Sequence, residues 1–123
     1  SKIKENGSII TINSILAIMN LPIMAQYCAS KSALHSITQA IRAELKSKSI
    51  EVFEVFPGPM DTEMSKNLQM DKATPLQVVL NTFDGLTNKD FEIFPDDYSK
   101  NIISMVKNNS KKLEQQFACS IQQ

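Results

Sequence analysis

The feature that most constrains the fold is a strand, a long helix and a second strand in direct succession. Ser8 to Ile12 is a short, mostly apolar, β-branched run, as in parallel strands that are buried on both faces. Ala25 to Lys48 contains neither Gly nor Pro and has helical periodicity. Ile50 to Phe56 is a second strand, which ends at Pro57-Gly58-Pro59. Because parallel strands need a crossover connection, this order predicts a right-handed βαβ unit.

The long helix also carries an apolar stripe, since its larger aliphatic residues recur three and four positions apart: Leu34, Ile37, Ile41 and Leu45. After Thr62 the patterns are weaker. The expected elements there are a helical turn at Glu63 to Asn67, a helix from Pro75 to Phe83, a strand from Phe91 to Phe94, a helix opened by Asp96-Asp97 and running to about Val106, and a short helix from Ser110 to Phe117. The whole pattern is typical of the α/β class.

Composition excludes several kinds of protein. A length of 123 residues predicts one domain or part of one, and 42% hydrophobic with 21% charged residues is an ordinary soluble, folded balance. The net charge is zero, so no basic excess favours nucleic acid and no charge block favours a membrane surface. No apolar run is long enough to span a bilayer, and the polar start does not resemble a signal peptide.

The cysteines and the single histidine predict no metal site. Cys28 and Cys119 lie far apart in the sequence, and with His35 they do not have the spacing of a zinc ligand set. The sequence leaves a disulfide between them as an alternative, but it favours a reduced cytoplasmic protein. Cys28 is expected to be buried filler, and His35 to serve packing or subunit contact.

Two residues on the long helix form a candidate acid/base pair. Tyr27 and Lys31 are four apart, so their side chains share one face. A free phenol loses its proton only near pH 10, and a neighbouring ammonium stabilises the phenolate. Alone, the pair is more simply explained as a solvated Tyr and Lys on an exposed helix face.

Two further segments come at the carboxyl ends of the predicted strands, where open parallel sheets bind their ligands. Ser14 follows the first strand, and Pro57-Gly58 with Thr62 follows the second. Each has a plain structural interpretation, since Ser14 can end a strand by bonding local backbone, Pro57-Gly58 can be a turn, and Thr62 can be a helix N-cap.

Taken together, these elements resemble the second half of a short-chain dehydrogenase/reductase. The resemblance rests on Ser14 after a strand, on Tyr27-Cys28-Ala29-Ser30-Lys31, and on Pro57-Gly58 followed by Thr62. It is close from about Gly7 to Thr62 and looser to Phe117-Ala118. Ala17 and Asn13 depart mildly from the family, which often has Gly at the first of these positions and a second Ser at the other.

The resemblance implies a fold and a set of roles. The fold is α/β, a partial Rossmann-like doubly wound parallel sheet that comprises the second half only. Tyr27 would be the general acid/base, Lys31 would assist it and bind the nicotinamide ribose, and Ser14 would hold the substrate oxygen. The cofactor, NAD or NADP, would lie against Tyr27, Lys31, Pro57, Gly58, Met60 and Thr62. The substrate would be a small alcohol or carbonyl compound.

One part of the family's pattern is missing from this sequence. The glycine-rich turn that binds the dinucleotide phosphates has no counterpart, because Gly7, Gly58 and Gly85 are not clustered. Residues 1–123 are therefore predicted to be the C-terminal half of a single domain, without its dinucleotide-binding half. The resemblance also implies a homodimer or homotetramer. The alternative is a catalytically incompetent fragment that acts only as a binding or oligomerisation module.

Overall fold

A computed structural model describes residues 6–60 and 72–121. The chain forms a three-stranded parallel sheet in the order β1-β2-β3, with helices packed against it. The strands are β1 (Ser8–Ile12), β2 (Glu51–Val55) and β3 (Glu92–Ile93), and the helices are α1 (Ala25–Leu45), α2 (Pro75–Thr87) and α3 (Asp97–Ala118). The α/β class, the parallel sheet and the strand–helix–strand order predicted from the sequence are confirmed.

The middle strand, β2, is the core of the sheet. β1 pairs with it in register from Ser8 opposite Glu51 to Ile12 opposite Val55. Four of its five residues are buried, which accounts for a run with little polar–apolar alternation. In β1, by contrast, half-buried and exposed residues alternate, and Ile12 is 58% exposed.

Helix α1 covers the sheet through a different face from the one that its apolar stripe indicates. Its buried residues are Cys28 and Thr38, whereas Ile37 is 55% exposed and Ile41 is 36% exposed. Polar contacts accompany the packing, since the Thr38 hydroxyl donates to the Leu34 carbonyl at 2.8 Å. The buried face is thus built from small and hydrogen-bonded residues, a pattern that hydrophobic periodicity does not detect.

The second half of the chain has longer helices than the sequence pattern indicated. α2 begins at a capping box, in which the Gln77 N–H donates to the Thr74 hydroxyl at 3.2 Å and Pro75 takes the first helical position. It ends at Thr87, four residues beyond the predicted end. Gly85 lies against Ile93, where an added Cβ would be 2.8 Å from Cγ1 of that side chain.

α3 is one helical run with a break inside it. The predicted end at Val106 and the predicted new start at Ser110 bracket Asn109, whose backbone is non-helical (φ −158°, ψ 70°). The Asn109 side chain then accepts the Lys112 N–H at 3.2 Å, as a capping residue does. The predicted turn at Glu63 to Asn67 lies outside the described residues.

The larger apolar cluster includes residues of the segment that follows β1. Its buried members are Ile15, Ala17, Phe56, Ile102 and Leu113. The ring of Phe56 is stacked on that of Phe94, with centroids 5.1 Å apart. The turn that follows β1 is therefore packed between the end of β2 and α3. In the described residues, no helix combines the length and the apolar character that crossing a bilayer requires.

Candidate active site

Ser14 lies where β1 ends, as the sequence predicted. It is buried, with 8% exposure, and begins a 3-10 turn at Ile15–Ala17. Its Oγ accepts the Leu16 N–H at 3.1 Å, which is the N-cap contact of that turn. Among residues 6–60 and 72–121, the hydroxyl proton of Ser14 has no acceptor, so this hydroxyl remains available as a donor.

Tyr27 and Lys31 face the same way on the first turns of α1. Lys31 Nζ is 5.5 Å from the centroid of the Tyr27 ring, a cation–π distance. Tyr27 is 42% exposed, and its hydroxyl makes no hydrogen bond within the described part of the chain. The pair thus presents a phenol and an ammonium next to each other, and the phenol is partly exposed.

Asn13 joins the serine segment to the tyrosine helix. Its Nδ2 donates to the backbone carbonyl of Lys31 at 3.1 Å, and its Oδ1 accepts the Ser14 N–H at 2.8 Å. One side chain therefore contacts both halves of the predicted site. Ser32 adds a second link, since its hydroxyl donates to the Ala17 carbonyl at 2.9 Å.

A buried carboxylate lies behind this junction. Glu54 is the penultimate residue of β2 and is fully buried. Its Oε2 accepts from Asn13 Nδ2 at 2.7 Å, and its Oε1 is 2.9 Å from His35 Nδ1. The His35 ring meets that of Phe56 edge-on, with centroids 5.3 Å apart. On its far side, His35 Nε2 is 4.0 Å from a carboxylate oxygen of Glu92.

The turn after β2 is fixed from both sides. The Pro57 carbonyl accepts the Ile15 N–H at 3.1 Å, and the Gly58 N–H donates to Asp96 Oδ1 at 2.9 Å. Met60 pairs with Ala73 in an isolated parallel bridge. Ser14 and the Pro57-Gly58 turn are therefore neighbours, through Ile15. Thr62, the last predicted site residue, lies outside the described residues.

Asp96 is a positioning group in this turn. Besides holding Gly58, its carboxylate accepts the Ser99 N–H at 3.1 Å and caps α3. Burial, together with the charge of Asp96, raises the pKa of Tyr98 above its ordinary value of 10.0. The hydroxyl of Tyr98 thus stays neutral in the physiological range, and that ring is a packing group.

Ser14 and the Pro57-Gly58 turn lie at strand ends, and Tyr27 and Lys31 share a face of α1, as the sequence predicts. The predicted site does not include the residues that connect these segments. Asn13 was noted only as a mild departure from a family pattern, and His35 was predicted to serve packing or subunit contact. Glu54 was not singled out, although a charged residue in the middle of an apolar strand was the available signal, because a buried charge needs specific partners. Cys28, predicted to be buried filler, is 1% exposed, and both cysteines are free.

Comparison with known proteins assigns the chain to a family. Residues 2–73 match the family described as short chain dehydrogenase. The human protein "Dehydrogenase/reductase SDR family member 7" is 38% identical over 65 residues, which are 52% of this chain and 19% of that protein. A protein of Xanthobacter autotrophicus, "Inactive 2-(S)-hydroxypropyl-CoM dehydrogenase 2", is 34% identical over 73 residues, 58% of this chain and 32% of that one.

A solved structure extends the similarity beyond the matched sequence. The crystal structure of a short chain dehydrogenase from Burkholderia cenocepacia, in complex with NADP, superimposes with a TM-score of 0.84 at 33% identity. The superposition covers 89% of this chain and 46% of the bacterial one. The chain thus spans about half of that structure, and its sequence matches smaller shares of the curated relatives. A family match over more than half of the residues, joined to the same partial Rossmann-like fold, shows that this chain belongs to the short chain dehydrogenase family.

Proposed function

We propose that this chain is the catalytic half of an NAD(P)-dependent oxidoreductase that interconverts a small alcohol and its carbonyl compound. The observation that carries the proposal is the junction at Asn13, which joins Ser14 to the Tyr27–Lys31 turn beside the Pro57-Gly58 turn. In a member of this family, we propose that a hydroxyl donor, a phenol and an ammonium come together near the carboxyl ends of the parallel strands. Ligands bind at this edge in open α/β sheets.

Tyr27 is proposed as the general acid/base. In oxidation, its phenolate oxygen takes the proton from the substrate hydroxyl; in reduction, its hydroxyl returns a proton to the carbonyl oxygen. The exposure of Tyr27 and the absence of a hydrogen bond to its hydroxyl within the described residues support this role. A positioned proton-transfer group of this kind contributes about 10²–10⁴-fold to the rate.

Lys31 and Ser14 are proposed to stabilise charge. The ammonium of Lys31 lies 5.5 Å from the Tyr27 ring centroid, where its positive charge would stabilise negative charge that develops during proton transfer. Ser14 has a hydroxyl proton with no acceptor among residues 6–60 and 72–121, and it would donate that proton to the substrate oxygen. Fixed donors aimed at developing negative charge stabilise the transition state.

The residues at this edge fit a nicotinamide nucleotide. Lys31 and Tyr27 offer donors for ribose hydroxyls, and the Pro57-Gly58 turn offers a fixed wall, because Asp96 holds the Gly58 N–H. Met60 and Thr62 are proposed as further cofactor-binding residues. The bound cofactor supplies the hydride acceptor or donor for the substrate carbon. The Burkholderia cenocepacia structure is a complex with NADP, and we propose NAD or NADP as the cofactor of this protein.

We further propose that a dinucleotide-binding half lies outside these 123 residues and completes the sheet. The chain covers 46% of the Burkholderia cenocepacia structure, and the apolar side chains of Ile10 and Ile12 on β1 are 43% and 58% exposed. A neighbouring strand and its helix would cover them. The two free cysteines are compatible with the reducing, cytoplasmic location that we propose.

The direct test is a turnover assay on the complete gene product. Purified protein is mixed with NAD or NADP and a panel of small alcohols, or with the reduced cofactors and the matching ketones. We expect substrate-dependent change in the absorbance of reduced nicotinamide with at least one pair. Failure of every pair, in a protein that binds neither cofactor, would refute the proposal.

A second candidate is a non-catalytic assembly module. The exposed Ile37 and Ile41 on α1 favour a role in subunit contact, and one relative at 34% identity carries "Inactive" in its name. Assembly into a homodimer or homotetramer is compatible with either function. Assembly without cofactor binding would favour the module over the enzyme.

A further inference from the structure

One carboxylate, that of Glu54, has no role in the proposed reaction. Glu54 is fully buried in the central strand, where an unpaired charge would be strongly unfavourable. Both of its oxygens have partners, Asn13 Nδ2 at 2.7 Å and His35 Nδ1 at 2.9 Å. With Glu54 ionised, both partners donate, so the imidazole carries its proton on Nδ1.

Asn13 links this carboxylate to the proposed machinery. Its amide nitrogen has two protons, one for Glu54 and one for the Lys31 carbonyl at 3.1 Å, while its oxygen accepts the Ser14 N–H at 2.8 Å. A serine, which is common at this position in the family, has a single proton and cannot donate to both acceptors. The asparagine therefore suits a chain that has a buried glutamate beside it.

His35 is a further attachment point on α1. It lies one helical turn beyond Lys31, and its bond to Glu54 fixes the helix at a second level. The other charged group near this ring is Glu92, whose carboxylate oxygen is 4.0 Å from Nε2. α1 is thus fastened to the strand ends at the Lys31 carbonyl and at the His35 ring.

We propose that Asn13, Glu54 and His35 form a clamp that positions Ser14 against the Tyr27–Lys31 turn. These three are positioning residues, because they act through Ser14 and Lys31. The catalytic effect of the clamp rests on the proposed function, whereas its hydrogen bonds also contribute to the stability of the fold. The two consequences are measured separately.

Substitutions at Asn13 and Glu54 can exchange hydrogen-bond donors and acceptors with little change in side-chain shape. Asn13→Asp keeps the acceptor for the Ser14 N–H but faces the Glu54 carboxylate with a second negative charge, where a donor stood at 2.7 Å. Glu54→Gln alone is tolerated, since the amide oxygen accepts from Asn13 and the amide nitrogen donates to neutral His35 Nδ1. In the double variant the two bonds of residue 54 are kept, because the amide introduced by Glu54→Gln donates to the new carboxylate and accepts from His35. The donor to the Lys31 carbonyl stays lost, so the recovery should be partial.

The experiment measures kcat, KM and Tm for these variants in the complete gene product. We expect Asn13→Asp to lower kcat by about 10–100-fold with KM changed less than about threefold, as misplacement of a reacting group does. Glu54→Gln should stay within about threefold of the wild type, and adding it to Asn13→Asp should recover about tenfold in kcat, a coupling between contacting residues. Asn13→Ser, which adds no charge and keeps one donor, should fold and lower kcat several-fold.

The matched control is Thr38→Val, which removes a buried hydroxyl from the same helix without touching the clamp. It should lower Tm and leave kcat unchanged. The clamp is overturned if Asn13→Asp and Asn13→Ser keep the wild-type kcat, or if the double variant recovers nothing. A wild type without turnover would refute the proposed function instead. The clamp would then be judged by Tm, which Asn13→Asp should lower and the double variant restore in part; no recovery would overturn it.

Discussion

Gly58 occupies a position where a side chain has no room. An added Cβ would be 2.5 Å from Asp96 Oδ2 and 2.9 Å from Tyr98 Cδ1. Both neighbours are themselves fixed, because Asp96 caps α3 and Tyr98 packs against the apolar cluster around Phe56. The glycine is therefore required by close approach, and this keeps the turn after β2 near Ser14.

The first prediction concerns this glycine. Gly58→Ala should destabilise the protein by about 1–3 kcal/mol, the usual result of forcing an extra methyl into a packed site. The measurement is the free energy of unfolding from urea titration. Ser47→Ala, which changes an exposed residue just after α1, is the control and should have no effect. Equal stability of the Gly58→Ala variant and the wild type would contradict the close packing.

A local sequence pattern indicates some residues of the candidate site and not others, and the difference has a physical reason. Ser14 and the Tyr27–Lys31 pair were predictable because their spacing from strand ends is fixed along the chain. The bond from Asn13 to Glu54 joins residues 41 apart, and only the register of β1 on β2 brings them together. Such a pairing is set by tertiary packing, which no local pattern contains.

Two faces of helix α1 have different surroundings. One face, with Cys28 and Thr38, packs on the sheet, and the opposite side exposes Ile37 and Ile41. Aliphatic residues at i and i+4 on an exposed face favour contact with another apolar surface. We infer that this face of α1 contributes to the proposed homo-oligomer.

A charge on that face should therefore dissociate the assembly. Ile37→Glu is expected to lower the molar mass in solution, measured by sedimentation velocity, because burying an unpaired carboxylate in an interface is unfavourable. Ser36→Glu adds the same charge at an exposed neighbouring position and serves as the control. An unchanged mass for Ile37→Glu would exclude this face of α1 from the interface.

Element boundaries show where the sequence patterns were sufficient. The start of α2 was predictable because Pro75 follows a capping threonine, and that local signal needs no tertiary partner. The end of α2 was not, since glycine is a weak helix former and Gly85 packs closely on Ile93, a tertiary contact that no local pattern contains. β3 is shorter than its apolar pattern, because only Glu92–Ile93 pairs with β2.

For the whole molecule, the proposed domain organisation has a direct physical consequence. A sheet of three strands, one of them two residues long, leaves Ile10 and Ile12 partly exposed on β1. Small folded units bury a smaller fraction of their surface and are marginally stable. We expect that a second half of the domain covers this edge.

Intact mass spectrometry of the protein purified from its native source tests this expectation. The predicted mass is roughly twice that of the present 123 residues, since domains of this kind need both halves of the sheet. A mass equal to that of the 123 residues would contradict the proposed organisation. It would favour the assembly module over the enzyme.

The measurement that tests the central claim most directly is the turnover number of a Tyr27→Phe variant of the complete gene product. Tyr98→Phe is the matched control, because it removes the hydroxyl of the other tyrosine, a half-buried packing residue. If Tyr27 is the general acid/base, its variant should lose about 10²–10⁴-fold in kcat, while the control keeps the wild-type value. A Tyr27→Phe variant that turns over substrate as fast as the wild type would contradict the account.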